Sequence, residues 1–430
     1  MSAAHLALIR FGFGPKPGEP LPSDPARWLE GQLQADPRPA PGGAPLASLA
    51  DAFRLVETRR TMPSPESRRA VAQIVEGEAA AWASGCLATR TPLIERLVAF
   101  WSNHLAISRR AGAVAGVGAG HYVREAIRPH ILGPFEELLL ASVRHPAMLN
   151  FLTNDASVGP NSPAGRRQSR GLNENLAREI LELHTVTPAA GYTQADVTEF
   201  AKVLTGWGIA RDWAGFEFRP AGHEPGEKIV MGQRVPEGEE GGIAFLRWLA
   251  RHPATHRNLA TKLVAHFYAD RPDPAMVRQV EGALRDSGGN LGAAARALVS
   301  LPQALAAPLG KIRPPHDLTL AALRAVGASP ERGGLAIQGM NRLAQPLWSP
   351  PSPKGWPDTA ADWAGPEALL ARVDWCYALA GRFSRNDAQE AAEAVLGRLG
   401  RDTLRREIGR AGSAQDALTI LLASPEFQRR

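Results

Sequence analysis

Residues 171–184 read GLNENLAREILELH, and their acids, amides and imidazole are side chains that move protons or bind metal ions. Advancing 100° per residue along a helix from Leu172 puts Leu172, Leu176, Ile180 and Leu183 on one apolar stripe within about 80°. Glu174, Arg178 and Glu182 form a row of four-residue steps on the far side, where Arg178 can pair with either acid. Glu179 differs from both. It lands about 20° from Leu172 and about 40° from Leu183, with Asn175 one turn before it and no cation of its own helix in reach. A carboxylate against apolar neighbours loses its charge unless a donor, a cation or a metal ion reaches it from elsewhere in the fold. His184 points about 140° away from Glu179, so the two cannot hold one ion from this helix alone.

A partner is offered by FWSNH at 100–104. His104 falls about 20° from the direction of Leu97, on the inward stripe, while Asn103 points away. A histidine on an apolar face either completes a core hydrogen bond or serves as a ligand. If Glu179 and His104 meet across a helix pair, they make a general base and its orienter, or two ligands of a divalent metal, with Asn175 and His184 beside them. Such a pocket would lie under the polar loop 153–171, whose Arg166 and Arg170 are candidate substrate contacts together with His223 and Trp356. No GxGxxG, Walker, GxSxG or HExxH pattern occurs, so a nucleotide cofactor, a nucleophile elbow and a zinc-protease helix have no support.

The elements that must position these residues are helices. In TPLIERLVAFWSNHLAI, Thr91 is the expected N-cap, Pro92 opens the helix, and Leu93, Leu97, Trp101 and Leu105 share a stripe. Similar periodicity covers 135–152, 173–186, 193–207, 243–250, 254–269, 274–286, 291–300 and the last sixty residues. Thr193 and Asp196 are spaced as a capping box. Strand alternation is confined to Phe216, Phe218, Ile229 and Met231 around a Gly/Pro-rich turn, which predicts one hairpin near 215–235 with His223 and Glu224 in its turn. The fold class is therefore mainly α.

Three segments interrupt the helices. RAGAVAGVGAG at 110–120 is either a mobile connector or a small-residue helix contact. The loop 153–171 is the second. The third, at 341–365, stacks prolines with Trp348, Trp356 and Trp363, either as a rigid coil packing its indoles on helices or as a ligand-facing wall. RHPAML at 144–149 and RHPATH at 251–256 both read as helix starts with proline in the first turn, so shared capping chemistry explains the echo.

Composition narrows the function. Of 49 basic residues against 43 acidic ones only six are lysines, a bias that needs no polyanionic partner, and no basic run with interleaved aromatics points to nucleic acid. Cys86 and Cys376 lie far apart outside any CxxC pattern, which leaves a single bridge open but no thiolate metal site. No signal peptide is read at the amino terminus, so the expected compartment is the cytoplasm, unless a signal-bearing partner carries the chain out. No apolar run is long enough for a membrane span.

RFGFGPKPGE at 10–19, FWSNHLAIS at 100–108, GLNENLAREILELHT at 171–185, GYTQADVTEFAKVLTGW at 191–207, HPATHRNLATKLVAHF and PLWSPPSPKGWPD together resemble the bacterial family called domain of unknown function 1800. The resemblance covers nearly the whole chain. It implies one integrated helical unit over 1–430, with a central core at 91–210, a hairpin insertion at 211–235 and the Pro/Trp coil at 341–365. It carries no established activity. Such proteins are often encoded beside a sulfatase-like family, domain of unknown function 1501, so the resemblance implies an accessory or binding protein for that partner. The Glu/His/Asn constellation implies instead a hydrolase acting on an extracytoplasmic polymer or ester.

Overall fold

The computed structural model describes residues 3–38, 46–167, 171–211, 215–306 and 308–430. Within them, 21 α-helices and two small two-stranded antiparallel sheets make the chain mainly α. The Pro92–His104 helix follows the sequence pattern: Leu93, Leu97, Trp101 and Leu105 are all buried. The helices Gln194–Val203, Glu239–Arg251, Pro253–Phe267, Pro274–Asp286 and Leu291–Val299 also stand near their expected places. The capping box of Thr193 and Asp196 is formed.

Proline and histidine divide the expected 135–152 helix into Phe135–Arg144 and Pro146–Phe151. His145 caps the second piece, its Nδ1 accepting the Ala147 N–H at 3.1 Å. His252 does the same for Ala254, also at 3.1 Å, so the RHPA echo is a shared capping device. In both, proline at the first helical position supplies no N–H where none could be satisfied.

The Gly/Ala-rich stretch is a helix contact. Ala113–Tyr122 is helical and packs against Leu49–Thr61, Pro65–Ala88 and Pro146–Phe151. A Cβ at Gly120 would sit 2.5 Å from Glu78 Cβ, and one at Gly118 would sit 3.0 Å from Ala147 Cβ. Small residues are needed here because neighbouring helices approach too closely for side chains.

The single hairpin near 215–235 is replaced by two. Trp207–Ile209 pairs with Phe216–Phe218, and Lys228–Val230 pairs with Gln233–Val235. Met231 and Gly232, at φ of 48° and 74°, provide the two positive-φ residues of a tight hairpin turn, so the chain reverses there. His223 and Glu224 are not in an exposed turn either: both are buried. Glu224 accepts the Asn161 backbone N–H at 2.8 Å and its side-chain amide at 2.6 Å. His223 Nδ1 donates to Thr205 O at 2.8 Å, while Nε2 accepts the Gly238 N–H at 3.0 Å.

Apolar packing falls into two large clusters. One is built by residues between Ala7 and Ala304, the other by Phe13, Ala79, Cys86, Leu87 and residues from Leu318 to Phe427. Both cysteines lie in the second cluster, buried and free. Within each cluster an arginine ties distant segments together through carbonyls that helix ends and turns leave open. Arg10 donates to Gln303 O and Ala304 O at 2.7 Å each, and Arg324 to Gly14 O at 3.1 Å and Leu87 O at 3.3 Å. RFGFGP is thus a structural clasp.

Candidate functional site

The helix expected over 173–186 changes pitch halfway. Asn175–Glu179 is α-helical, and Ile180–His184 forms a π turn. A π turn inserts extra chain into the helix, rotates everything after it, and leaves carbonyls without their usual donors. The Pro253–Phe267 helix answers them. Asn258 Nδ2 donates to Thr185 O at 2.8 Å, and Lys262 Nζ donates to Leu183 O at 2.8 Å. His104, on the Pro92–His104 helix, donates from Nε2 to His184 O at 3.1 Å.

The phase change relocates the sequence candidates. Glu182, expected on the outer row, stands exposed on the rim of a cavity of about 450 Å³ that His104 also lines. Arg178 pairs with Glu174 at 2.8 Å. Glu179 is half-buried, and its carboxyl is raised from the ordinary value chiefly by burial and then by Glu182, against the pull of Arg178. It is not among the residues lining that cavity, nor is the exposed Asn175. His184 is fully buried, with neither ring nitrogen bonded, and its ring centroid lies 6.2 Å from that of His104. Burial, and then Lys262, pull it down to about 3. Burial likewise pushes His104 well below the imidazole range, with Lys262 and His184 adding to the effect. Both nitrogens of His104 are engaged, because Nδ1 faces Lys262 Nζ at 3.3 Å. Among the described residues no group of three or more His, Cys, Asp or Glu side chains is placed to hold a metal ion.

The described part of the loop 153–171 does not line this cavity. It is fastened instead to the segment after the first hairpin, Gly159 N–H to Gly222 O at 2.9 Å and Ala164 N–H to Ala221 O at 2.8 Å. Arg166 is exposed on it, and Arg170 lies outside the described residues. Glu224 adds to the fastening through Asn161, while His223 beside it is bonded to Thr205 O and the Gly238 N–H. The cover over His104 comes from the Pro/Trp coil, whose Pro351, Ser352, Lys354, Gly355, Trp356, Pro357 and Asp358 line the cavity. Asn103, far from pointing away, clasps that coil: its Nδ2 donates to Trp356 O at 2.9 Å and its Oδ1 accepts the Trp356 N–H at 2.7 Å. Gly355, at φ 85°, leaves no room there for a side chain.

The helix richest in polar contacts to the cavity carries no motif that marks it in the sequence. Asn258, Lys262 and His266 stand at four-residue steps on Pro253–Phe267, a polar stripe beside the apolar Leu259, Leu263 and Phe267. His266 Nδ1 is 2.9 Å from Asp358 Oδ2, while its Nε2 faces guanidinium nitrogens of Arg96 and Arg430 at 3.4 Å each. Guanidiniums only donate, so Nε2 accepts and the proton sits on Nδ1. Lys262 opens on the cavity, and no carboxylate among the described residues is within ion-pair distance of it. Burial, helped by Lys354, lowers its ammonium to about 8. A second cavity of about 100 Å³ adjoins the first through Asn103, His266, Trp356, Pro357 and Asp358, and is walled by Trp82, Trp348 and Tyr122.

A mainly helical frame thus carries a cation-lined cleft between Pro92–His104, Pro253–Phe267 and the Pro/Trp coil. The chain belongs to the family described as "Protein of unknown function (DUF1800)", whose pattern matches residues 6–429. No curated protein and no solved structure matches the chain. Among the described residues no helix is long and apolar enough to cross a membrane.

Proposed function

We propose that the protein, acting as one unit over 1–430, is a hydrolase of carboxylic esters working in this cleft. The observation that carries the reading is Lys262, a nearly buried amine on the wall of a cavity of about 450 Å³, braced by Leu183 O and His104 and unpaired with any described carboxylate. A cation fixed in a dry wall stabilises the oxyanion that forms when water adds to an ester carbonyl, and it needs no reorganisation to do so. Glu182 on the rim takes the proton of the attacking water and returns it to the departing alcohol oxygen as the carbon–oxygen bond breaks. His104 holds the amine in place.

The test is hydrolysis of a panel of 4-nitrophenyl esters. Lys262→Met should lower kcat/KM by about 10²-fold or more, the range seen when one oxyanion donor is removed, with an unchanged circular dichroism spectrum. Glu182→Gln, at an exposed position that tolerates substitution, should lower kcat. Turnover no faster than buffer, or undiminished in both variants, overturns the reading.

A second role, as an accessory protein for a sulfatase-like partner, is favoured by one feature. Leu369, Leu370, Val373 and Tyr377 are exposed on the Pro366–Gly381 helix, with Leu369, Val373 and Tyr377 in four-residue steps. An exposed apolar strip of this kind suits a protein interface. Co-expression with a protein of the sulfatase-like family should give a complex that Leu370→Glu/Val373→Glu abolishes; recovery of the complex with that variant counts against the role.

A further inference from the structure

We infer that the cleft selects short-chain carboxylic acids and their esters, with the carboxyl end between Lys262 and Lys354 and the acyl chain in the tryptophan-walled cavity beside it. The inference rests on the ester-hydrolase reading for its reaction but on separate observations for its ligand. The larger cavity is cationic where it meets Lys262 and Lys354. Its two acids do not cancel that charge: Asp358 is already taken by His266 at 2.9 Å, Arg430 at 3.2 Å and Lys311 at 3.5 Å, and Glu182 stands on the exposed rim. A buried cation without a counterion favours an anion or a developing oxyanion beside it.

The smaller cavity sets the rest of the ligand. Its walls are largely apolar, with Trp82, Trp348, Val98 and Ile107 among them. At about 100 Å³ it is tighter than the cavity of about 150 Å³ that admits benzene. It therefore has room for a few methylenes and none for fused rings. Ser102 lines this cavity away from the wall that the two share, and its hydroxyl is buried without a hydrogen-bond partner. Asn103 keeps the wall in place through its paired bonds to the Trp356 backbone.

The experiment is direct binding by calorimetry with sodium butyrate, sodium acetate, 1-butanol and sodium 2-naphthoate as probes, on the full chain. Butyrate should bind at least ten-fold more tightly than acetate or butanol, and naphthoate, held by the larger cavity alone, should bind no more tightly than acetate. Lys354→Met, at an exposed position, should weaken butyrate at least five-fold and leave butanol unchanged. Trp82→Phe should weaken butyrate relative to acetate. Equal affinity for butyrate and butanol, tight naphthoate binding, or indifference of butyrate to Lys354→Met overturns the inference. Butyrate binding without ester turnover would sink the hydrolase reading alone; turnover with no preference between butyryl and naphthoyl esters would sink this inference alone.

Discussion

His121 shows at the scale of one residue how burial writes a pH dependence into the fold. Its Nδ1 lies 3.1 Å from His145 Nε2. His145 Nδ1 is occupied by the Ala147 N–H, so the proton between the rings belongs to His145, and His121 Nδ1 accepts. A proton added to His121 has no acceptor there and meets Arg124 nearby; burial first, then Arg124, lower its imidazole to about 4. The unfolded chain binds that proton near pH 6.5, the folded chain only near 4, so stability falls as the pH drops through this window and levels off below it. The whole shift corresponds to at most about 3 kcal/mol. Between pH 6.5 and 4.5 the wild-type unfolding free energy should fall by about 2 kcal/mol more than that of His121→Gln, whose amide oxygen can still accept from His145. Urea melts at several pH values measure the difference, and parallel curves for the two proteins would refute it.

Among the elements, those written by simple periodicity were legible and those written by departures from it were not. The stripe of Leu93, Leu97, Trp101 and Leu105 and the box of Thr193 and Asp196 appear where the sequence places them, because each depends only on neighbours one turn away. The Pro65–Ala88 helix shows no apolar stripe in sequence, with alanine and charge spread around its circumference. The π turn at Ile180–His184 was invisible to a wheel advancing by a constant angle, and it moves Glu182 to the cleft. The reversal at Met231 and Gly232 was hidden because methionine at positive φ looks, in sequence, like one more strand residue. For the candidate site the result is divided. His104 and Trp356 both line the cavity, whereas Asn175 and Glu179 stay outside its lining. Lys262 and His266 were missed although their four-residue spacing was in view, because their partners at 183 and 358 come from distant chain and only the folded molecule brings them together.

At the scale of the molecule, the cleft lies where the two apolar clusters meet, and buried charge joins them there. Asp317 Oδ2 receives Arg96 at 2.6 Å and lies 2.9 Å from Arg430 Nε, and its other oxygen is 3.2 Å from His316 Nδ1. Burial alone would raise the Asp317 carboxyl, but Arg96, with His316 and His266, holds it below the carboxylate range. The strand-like pairing of residues 311 and 313 with 428 and 430 fixes Arg430 in this position. Removing one member of such a network leaves the others charged and dry, which costs about 3–5 kcal/mol, whereas replacing a buried pair with apolar groups of similar volume costs far less. Asp317→Leu should therefore lower the unfolding free energy by that amount, and Arg96→Met should be comparably damaging. The double variant Arg96→Met/Asp317→Leu should lose less than the sum of the two single losses, since it removes the stranded partner that makes each single change expensive. Denaturant melts of wild type, both singles and the double give the coupling directly. A double variant whose loss equals the sum would mean that Arg96 and Asp317 contribute independently, and the clusters would then be joined by apolar contact, with Trp348 packed against both.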